Sequence, residues 1–541
     1  MAAEITQKST RKLSFGRVLL LTFFFLLVFS VLFSRAMLTS LNHDEYQFVA
    51  GGQLLVERGL LPYRDYPFLH MPYMIALNAL VFKLTEYDFL AARLLTAIGG
   101  VVSAGFVFLN INRFSAGASK TFRYVLGCVA VLLFIMNTAY IDANGRALNH
   151  AAPNLIGLLA MEAFYRGLKS KRCRLYFLSV GVLTGLAVGM RLTYALLIPA
   201  FSIAIFFFPL FGSTPEKSSW IRSGLRNLFF LGCGIFAALL PVLLLALAAP
   251  KQFLFGNFVY IRLNTGYREV LDYGEAMTLS GKLAYFAENV LSEPVNGLLY
   301  ALALGFCIFA ILKILKTKES KYILSASVTL LGLFTFISAF GPTPTWPQYF
   351  FAPLPYLVIA GMGLVTLVHR KYLHLGWVLT VLVIGLTFAN GAARQAFSDL
   401  AGLKEPGAWV PIQVHQFGQE IKQVLPEGKV LTLVPIFPLE AGLDTYEMFA
   451  VGPLVWRSAH ILSQEKRQEY GIIALTDLDR YLQDRPPDAI LLGVEDRYDG
   501  FWIYNAGALE VPLVEYAEYH GYRPVELTPG FGEGIEVLWV K

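Results

Sequence analysis

A chain of 541 residues that is 56% hydrophobic and only 15% charged, with a mean hydropathy of +0.55, is too apolar for a soluble enzyme of ordinary composition and reads as a polytopic membrane protein. Its net charge of +6 would suit a nucleic-acid partner, but the basic residues cluster in short loops between apolar runs. That is the positive-inside pattern of membrane topology, and no nucleic-acid partner is expected.

The N-terminal segment carries Lys8, Arg11, Lys12 and Arg17 ahead of an apolar run from Val18 to Phe33. The run approaches the roughly 20 residues a spanning helix needs and lacks a good small-residue cleavage site, so an uncleaved signal anchor with a cytoplasmic N-terminus is expected. Apolar runs at about 16–36, 89–111, 124–141, 152–167, 175–190, 192–211, 228–249, 296–315, 322–340, 349–368 and 375–392 predict about eleven transmembrane helices. With the N-terminus inside, the basic segments around Arg113 to Arg123, Arg166 to Arg174, Lys217 to Arg226, Lys313 to Lys321 and His369 to His374 all fall on the cytoplasmic side. Residues 37–88, 142–151, 250–295, 341–348 and the region after Asn390 then lie outside. Within the first of these, residues 68–84 are apolar enough to cross, but a crossing would reverse every later loop, so they are read as a helix lying in the interface.

From residue 395 the chain changes character. The runs KVLTLVPIF, TDLDRYLQD, DAILLGV, PLVEYAEYH and GIEVLWV read as strand, helix, strand, helix, strand, a small external α/β domain over 395–541 after a membrane domain over 1–394. The four cysteines, Cys128, Cys173, Cys233 and Cys307, stand singly in or beside apolar runs, so neither a disulfide framework nor a zinc site is expected.

Asp44 and Glu45 are the pointed feature of the first external segment. Carboxylates beside a bilayer are costly unless solvated, paired or used, at about 2.5 to 3.5 kcal/mol for an acid at mid-membrane. One reading is that they charge and cap the start of a short helix over YQFVAGGQLLVERG. The other is that one of them takes a proton from an acceptor hydroxyl or holds a cation beside a phosphate.

The stretch HDEYQFVAGGQLLVERGLLPYRDYPFLHMPY resembles the first external loop of the GT-C-type membrane glycosyltransferases, which include protein O-mannosyltransferases and lipid A aminoarabinose transferases. Asp44 matches the family's catalytic base or acceptor-binding carboxylate and Glu45 its acidic neighbour. Gly59, Pro62, Tyr63 and Asp65 match the following G-x-x-PY-x-D stretch, and His70 with Pro72 stands where relatives place a polar residue before a proline. GVLTGLAVGMRLTYALLIP is similar to the family's Gly-rich fifth span, and QYFFAPLPYLVIAG to a late span in which Gln348 replaces the usual Arg ahead of Tyr349. Met71 departs from the aminoarabinose branch, which carries a lysine there.

The resemblance implies a GT-C fold in the plasma (inner) membrane and a polyprenyl-phosphate-sugar donor. It also implies a glycolipid, polysaccharide or protein acceptor on the cell-envelope side, and single-displacement, inverting transfer. A phosphodiester at the interface needs cationic partners, and the external candidates are Arg64, Arg146, Arg191, Arg262 and Arg268. Arg191 falls between two short spans, where it either grips phosphate or snorkels from a helix end. Asp142, Asn144, Arg146, Asn149 and His150 form a polar loop that suits a sugar-binding rim and equally an ordinary exposed turn. His70 could bind phosphate or a metal, or serve as a structural hydrogen bonder. Tyr260, Arg262, Asn264, Tyr267 and Arg268, ahead of Asp272 and Glu275, mix aromatic and charged groups as a substrate-gating loop would. No metal-ligand spacing occurs in the external regions, so no cofactor is indicated, although related oligosaccharyl enzymes use divalent ions. The rival reading is a lipid or sugar transporter or flippase, against which stands the absence of an internal repeat; a third is a non-catalytic scaffold.

Overall fold

The computed structural model describes residues 15–211, 219–270, 277–317, 322–493, 507–528 and 537–541. Lys8, Arg11, Lys12, Lys217, Asp272, Glu275 and the side chain of Asp142 lie outside the described residues.

Among the described residues the first half contains ten α-helices: α1 (Phe15–Leu38), α2 (His43–Arg58), α3 (Tyr73–Phe82), α4 (Asp88–Phe114), α5 (Lys120–Ile135), α6 (Thr138–Ala143), α7 (Ala151–Lys169), α8 (Cys173–Met190), α9 (Leu197–Phe207) and α10 (Ser219–Ala248). The second half continues with α11 (Pro250–Leu254), α12 (Tyr260–Val270), α13 (Leu279–Phe286), α14 (Pro294–Thr317), α15 (Ile323–Ala339), α16 (Leu354–Lys371), α17 (Leu373–Ala389) and α18 (Gly391–Gly402). Each of the eleven apolar runs is helical. Among the described residues six helices are long and apolar enough to cross a membrane, or seven if the bent pair Leu373–Ala389 and Arg394–Gly402 is counted as one broken span. Exposed apolar side chains such as Leu20 at 70% and Phe23 at 68% fit a lipid rather than an aqueous surround, and the chain is an integral membrane protein.

Helix α3 has ten residues, a length of about 15 Å, half the hydrocarbon thickness. It packs on α2, where Asn78 Nδ2 donates to the Phe48 carbonyl at 3.0 Å. Helices α8 and α10 approach through glycine. A Cβ at Gly181 would stand 2.1 Å from the Leu231 carbonyl oxygen and one at Gly234 2.2 Å from that of Leu178. Only a residue without a side chain allows backbones so close, the usual device for packing helices in lipid. The pairing places Arg191, directly after α8.

Beyond α18 follow α19 (Val410–Val424), β1 (Lys429–Leu431), α20 (Ile436–Glu440), β2 (Asp444–Thr445), α21 (Pro453–Trp456), β3 (Ala489–Leu492), β4 (Arg523–Glu526) and β5 (Val537–Val540). The strands form one sheet in the order β2-β1-β3-β5-β4. β1 pairs in parallel with β2 and β3, while β5 runs antiparallel between β3 and β4. The central strand β3, AILL, is buried at every position, as a strand covered on both faces must be. The anticipated helices are Leu478–Leu482 and Gly507–Tyr519; β2 and β4 are strands that the run pattern did not reveal. Helix α18 runs across residue 395, where the sequence character changes. The sheet-bearing region is not a free appendage. Val414, Phe417 and Phe437 share a core with Tyr46 and Val49 of α2, Phe82 of α3 and Phe89 of α4.

Candidate active site

Three residues separate α1 from the cap of α2, and that short turn divides the acidic pair into two roles. Asn42 caps the helix: its Oδ1 accepts from the Asp44 amide at 2.9 Å, and the Glu45 carboxylate reaches back to the Asn42 amide at 3.2 Å, a reciprocal capping box. Glu45 then turns inward. Arg93 of α4 grips it with two bonds, Nε to Oε1 at 3.0 Å and Nη2 to Oε2 at 2.7 Å, with both side chains fully buried. The remaining Arg93 donors go to the carbonyls of Ala36, Thr39 and Ser40, and Glu45 Oε1 also accepts the Ala147 amide at 2.6 Å. One ion pair thus ties the α1–α2 turn to α4 and to the loop bearing Arg146. Asp44, next in line, keeps its side chain 45% exposed, 3.8 Å from His43 Nε2, and faces a cavity.

The PYRDYPF stretch builds the wall beside it. Gly59 ends α2 in the left-handed conformation at φ 65°, and Tyr63 is held at φ 67°. Pro62 bridges to Tyr66, and Asp65 accepts the Leu61 amide at 2.7 Å. Arg64 pairs with Asp65 at 2.7 Å, which lowers the Asp65 pKa chiefly through that hydrogen bond. The buried Tyr63 donates its hydroxyl to the His70 carbonyl and receives Asn257 Nδ2 at 3.3 Å. Across this hook, a Cβ on Gly256 would lie 1.9 Å from the Phe68 carbonyl oxygen. Tyr63, Arg64 and Asp65 therefore stand behind the wall, and the hook delivers Leu69, His70 and Met71 to the cavity, His70 as its polar group. Its ring stacks on Phe48 with centroids 5.4 Å apart. Burial pushes the imidazole down to about 4, the Arg191 charge adds to this and Asp44 opposes it, so at neutral pH His70 is uncharged.

Arg191 reaches the same cavity from the end of α8. Its Nη1 donates to Asn149 Oδ1 at 2.6 Å and lies 3.1 Å from His150 Nε2, and its guanidinium stands 5.6 Å from the centre of the Tyr349 ring. The polar loop after α6 is thus used to orient an arginine. Arg146 lines the cavity as well, whereas Arg262 is exposed and outside it.

The cavity measures about 770 Å³, and its described lining includes four arginines, Arg146, Arg191, Arg268 and Arg457, against the single carboxylate Asp44. Apolar side chains such as Leu69, Met71, Leu192, Ile261 and Trp346 complete the wall. A site of this size with a few convergent polar groups among apolar ones accommodates an amphiphile with an anionic head. Of the residues proposed from sequence, Asp44, His70, Arg146, Arg191, Tyr260, Asn264, Arg268 and Tyr349 meet at the cavity; Glu45, Tyr63, Arg64 and Asp65 stand beside it. Arg93 and Arg457 were not foreseen. Arg93 carried no local signal inside an apolar span beyond the cost of a charge there, and Arg457 lies in a segment read as soluble. Among the described residues no group of three or more His, Cys, Asp or Glu side chains could hold a metal ion.

No protein-family model and no curated protein matches the sequence. Solved structures do match. ArnT from Cupriavidus metallidurans, in a crystal structure bound to undecaprenyl phosphate, superposes with a TM-score of 0.57 at 12% identity over 97% of this chain and 98% of its own. The oligosaccharyltransferase AglB from Archaeoglobus fulgidus, in complex with an inhibitory peptide and a dolichol-phosphate, gives 0.51 at 12% identity over 97% of this chain and 74% of its own. At such identities the likeness speaks for fold, and the fold of this chain is that of the GT-C membrane glycosyltransferases.

Proposed function

We propose that the protein transfers a sugar from a polyprenyl-phosphate-linked donor to an acceptor hydroxyl or phosphate on the outer face of the membrane. The single observation that carries this is the cavity in which Asp44 meets buried arginines and apolar walls. The lipid phosphate of the donor is held by Arg191, with Tyr349 and Asn149 fixing the guanidinium. The acceptor oxygen attacks the anomeric carbon from the face opposite the phosphate, and Asp44 takes the proton of an acceptor hydroxyl. The bond between anomeric carbon and phosphate oxygen breaks, and the polyprenyl phosphate departs with the electron pair. A phosphate leaving group is already a stabilised anion and needs no general acid, and one displacement inverts the anomeric centre. Neutral His70 offers hydrogen bonding without competing for the phosphate's charge. The reaction as proposed uses no metal.

Eleven crossings accompany this reading: α1, α4, α5, α7, α8, α9, α10, α14, α15, α16 and α17. The N-terminus is then cytoplasmic and the region from 395 onward is a domain on the periplasmic side. ArnT bound to undecaprenyl phosphate and AglB bound to dolichol-phosphate support a lipid-phosphate ligand.

The test is a nanodisc assay with a panel of polyprenyl-phosphate sugars, following release of the lipid phosphate. Wild type is expected to turn over at least one donor, and Asp44→Asn to bind undecaprenyl phosphate normally while losing about 10²- to 10⁴-fold in rate, the range for a general base. An Asp44→Asn variant with wild-type turnover removes the base. Lipid movement across the bilayer without release of lipid phosphate points to a transporter instead.

A further inference from the structure

The cavity has a second cationic wall, and it is built across the junction between the membrane helices and the C-terminal region. Arg457, directly after α21, is 5% exposed. Its Nη2 donates to Asn264 Oδ1 on α12 at 3.0 Å, and its guanidinium lies 5.7 Å from the centre of the Tyr267 ring. A second bond clasps the same two elements, from the Tyr260 hydroxyl to the Leu454 carbonyl at 3.0 Å. Beside it Arg268, 6% exposed, stands 5.8 Å from the centre of the Trp346 ring. Both arginines line the cavity that Asp44 faces, together with Asn264 and Trp346.

The arginines of the cavity act on different, overlapping sets of neighbours. Arg191 acts on His70, along with Asp44, and on Tyr349, where Arg268 is also felt. Arg457 and Arg268 both act on His43 and Tyr260. Asp44 is felt at His43, His70, Tyr260 and Tyr349. The carboxylate shares one cavity with Arg191 and with the Arg457–Arg268 pair. A donor phosphodiester carries one negative charge and needs one of them, whereas the described lining offers four arginines against one carboxylate. Guanidiniums held over aromatic rings are presented as flat forks, suited to the planar carboxylate and to two oxygens of a phosphate.

We infer that Arg457 and Arg268, with Asn264, form a second oxyanion subsite for a phosphate or carboxylate carried by the second substrate or by the donor's sugar. This rests on the proposed transferase reading, and it makes the active site composite: the C-terminal region supplies a substrate-contacting group.

The experiment uses the full-length protein in nanodiscs, titrated by calorimetry first with undecaprenyl phosphate and then, at saturation, with inorganic phosphate or glucuronate. Wild type is expected to take up the small anion after the lipid site is full. Arg457→Gln should weaken that second event at least tenfold and leave undecaprenyl phosphate binding unchanged, with Arg457→Lys intermediate. Arg191→Gln should do the reverse, losing the lipid phosphate and keeping the small anion. A preference for inorganic phosphate assigns the subsite to a phosphorylated acceptor, and a preference for glucuronate to a charged sugar on the donor. No second event on lipid-saturated wild type, or an Arg457→Gln variant that binds the small anion like wild type, overturns the subsite. Failure of wild type to bind undecaprenyl phosphate at all refutes instead the donor assigned under the proposed function. Wild-type-like thermal unfolding and lipid binding in Arg457→Gln separate a lost contact from a lost fold.

Discussion

Replacing Glu45 by alanine removes the acceptor that neutralises Arg93, whose side chain is fully buried. Both side chains are fully buried and joined at 2.7 and 3.0 Å, so the variant leaves an uncompensated guanidinium, a change worth about 3–5 kcal/mol. The Asn42 and Ala147 amides lose their carboxylate partner as well, which adds about 1–3 kcal/mol for each that stays buried and unsatisfied. A total of about 5 kcal/mol or more is expected, a Tm shift on the order of 10 °C for a large domain. The assay is intrinsic tryptophan fluorescence of purified protein in detergent, followed by transfer kinetics on whatever fraction folds. The double variant Glu45→Gln, Arg93→Met tests the reasoning from the other side. With both charges gone, no ion is stranded, and it should be more stable than Glu45→Ala although it has lost more of the native pair. It should still transfer slowly, because the α1–α2 turn that aims Asp44 is no longer tied to α4. A Glu45→Ala protein that melts within about 2 °C of wild type, or a double variant less stable than the single one, would refute the lock.

The remaining expectations follow from the same geometry. His43, like His70, is pushed down to about 4, chiefly by burial, with Asp44 opposing and Arg457, Arg268 and Arg146 adding to the shift. Below pH 6.5 the unfolded chain therefore takes up protons that the folded chain refuses, so stability falls as pH drops from 6.5 towards 4, by up to about 3 kcal/mol per histidine. The difference in Tm between wild type and His43→Asn, His70→Asn, followed from pH 7 to pH 4.5, isolates this contribution; a constant difference would exclude it. Gly256→Ala drives a Cβ against the Phe68 carbonyl and should cost about 1–3 kcal/mol, read as a lower Tm, with weaker undecaprenyl phosphate binding because the His70 wall shifts. Treatment with a chelator should leave transfer unchanged, since arginines carry the proposed phosphate binding; restoration of lost activity by an added divalent ion would reverse that assignment.

Much of the fold was legible because its causes are local or repetitive. A bilayer demands helices of a given apolar length, and all eleven apolar runs are helical; the alternation after residue 395 marked three of the five strands and the two helices between them. The two-residue strand β2, Asp444–Thr445, has too little pattern to be seen, and β4, RPVE, begins with a charged residue and a proline that read as loop. The segment after α1 was legible for a different reason: its polar and turn-forming residues stand close together along the chain, from the acidic pair to the hook before His70.

What the sequence by itself determined was the kind of molecule, the helical runs and the place of Asp44, because hydropathy, capping and a short motif are written along the chain. Tertiary structure alone decided the division of labour. Asp44 and Glu45 are neighbours in sequence, yet one faces a cavity and the other is buried against Arg93 of another helix, since a capping box turns adjacent side chains to different faces. Tyr63, Arg64 and Asp65, read from sequence as binding residues, shape a turn beside the cavity. Arg457, 413 residues beyond Asp44 in the numbering, joins the site because α12 and α21 are clasped together, a contact that no periodicity or spacing along the chain encodes.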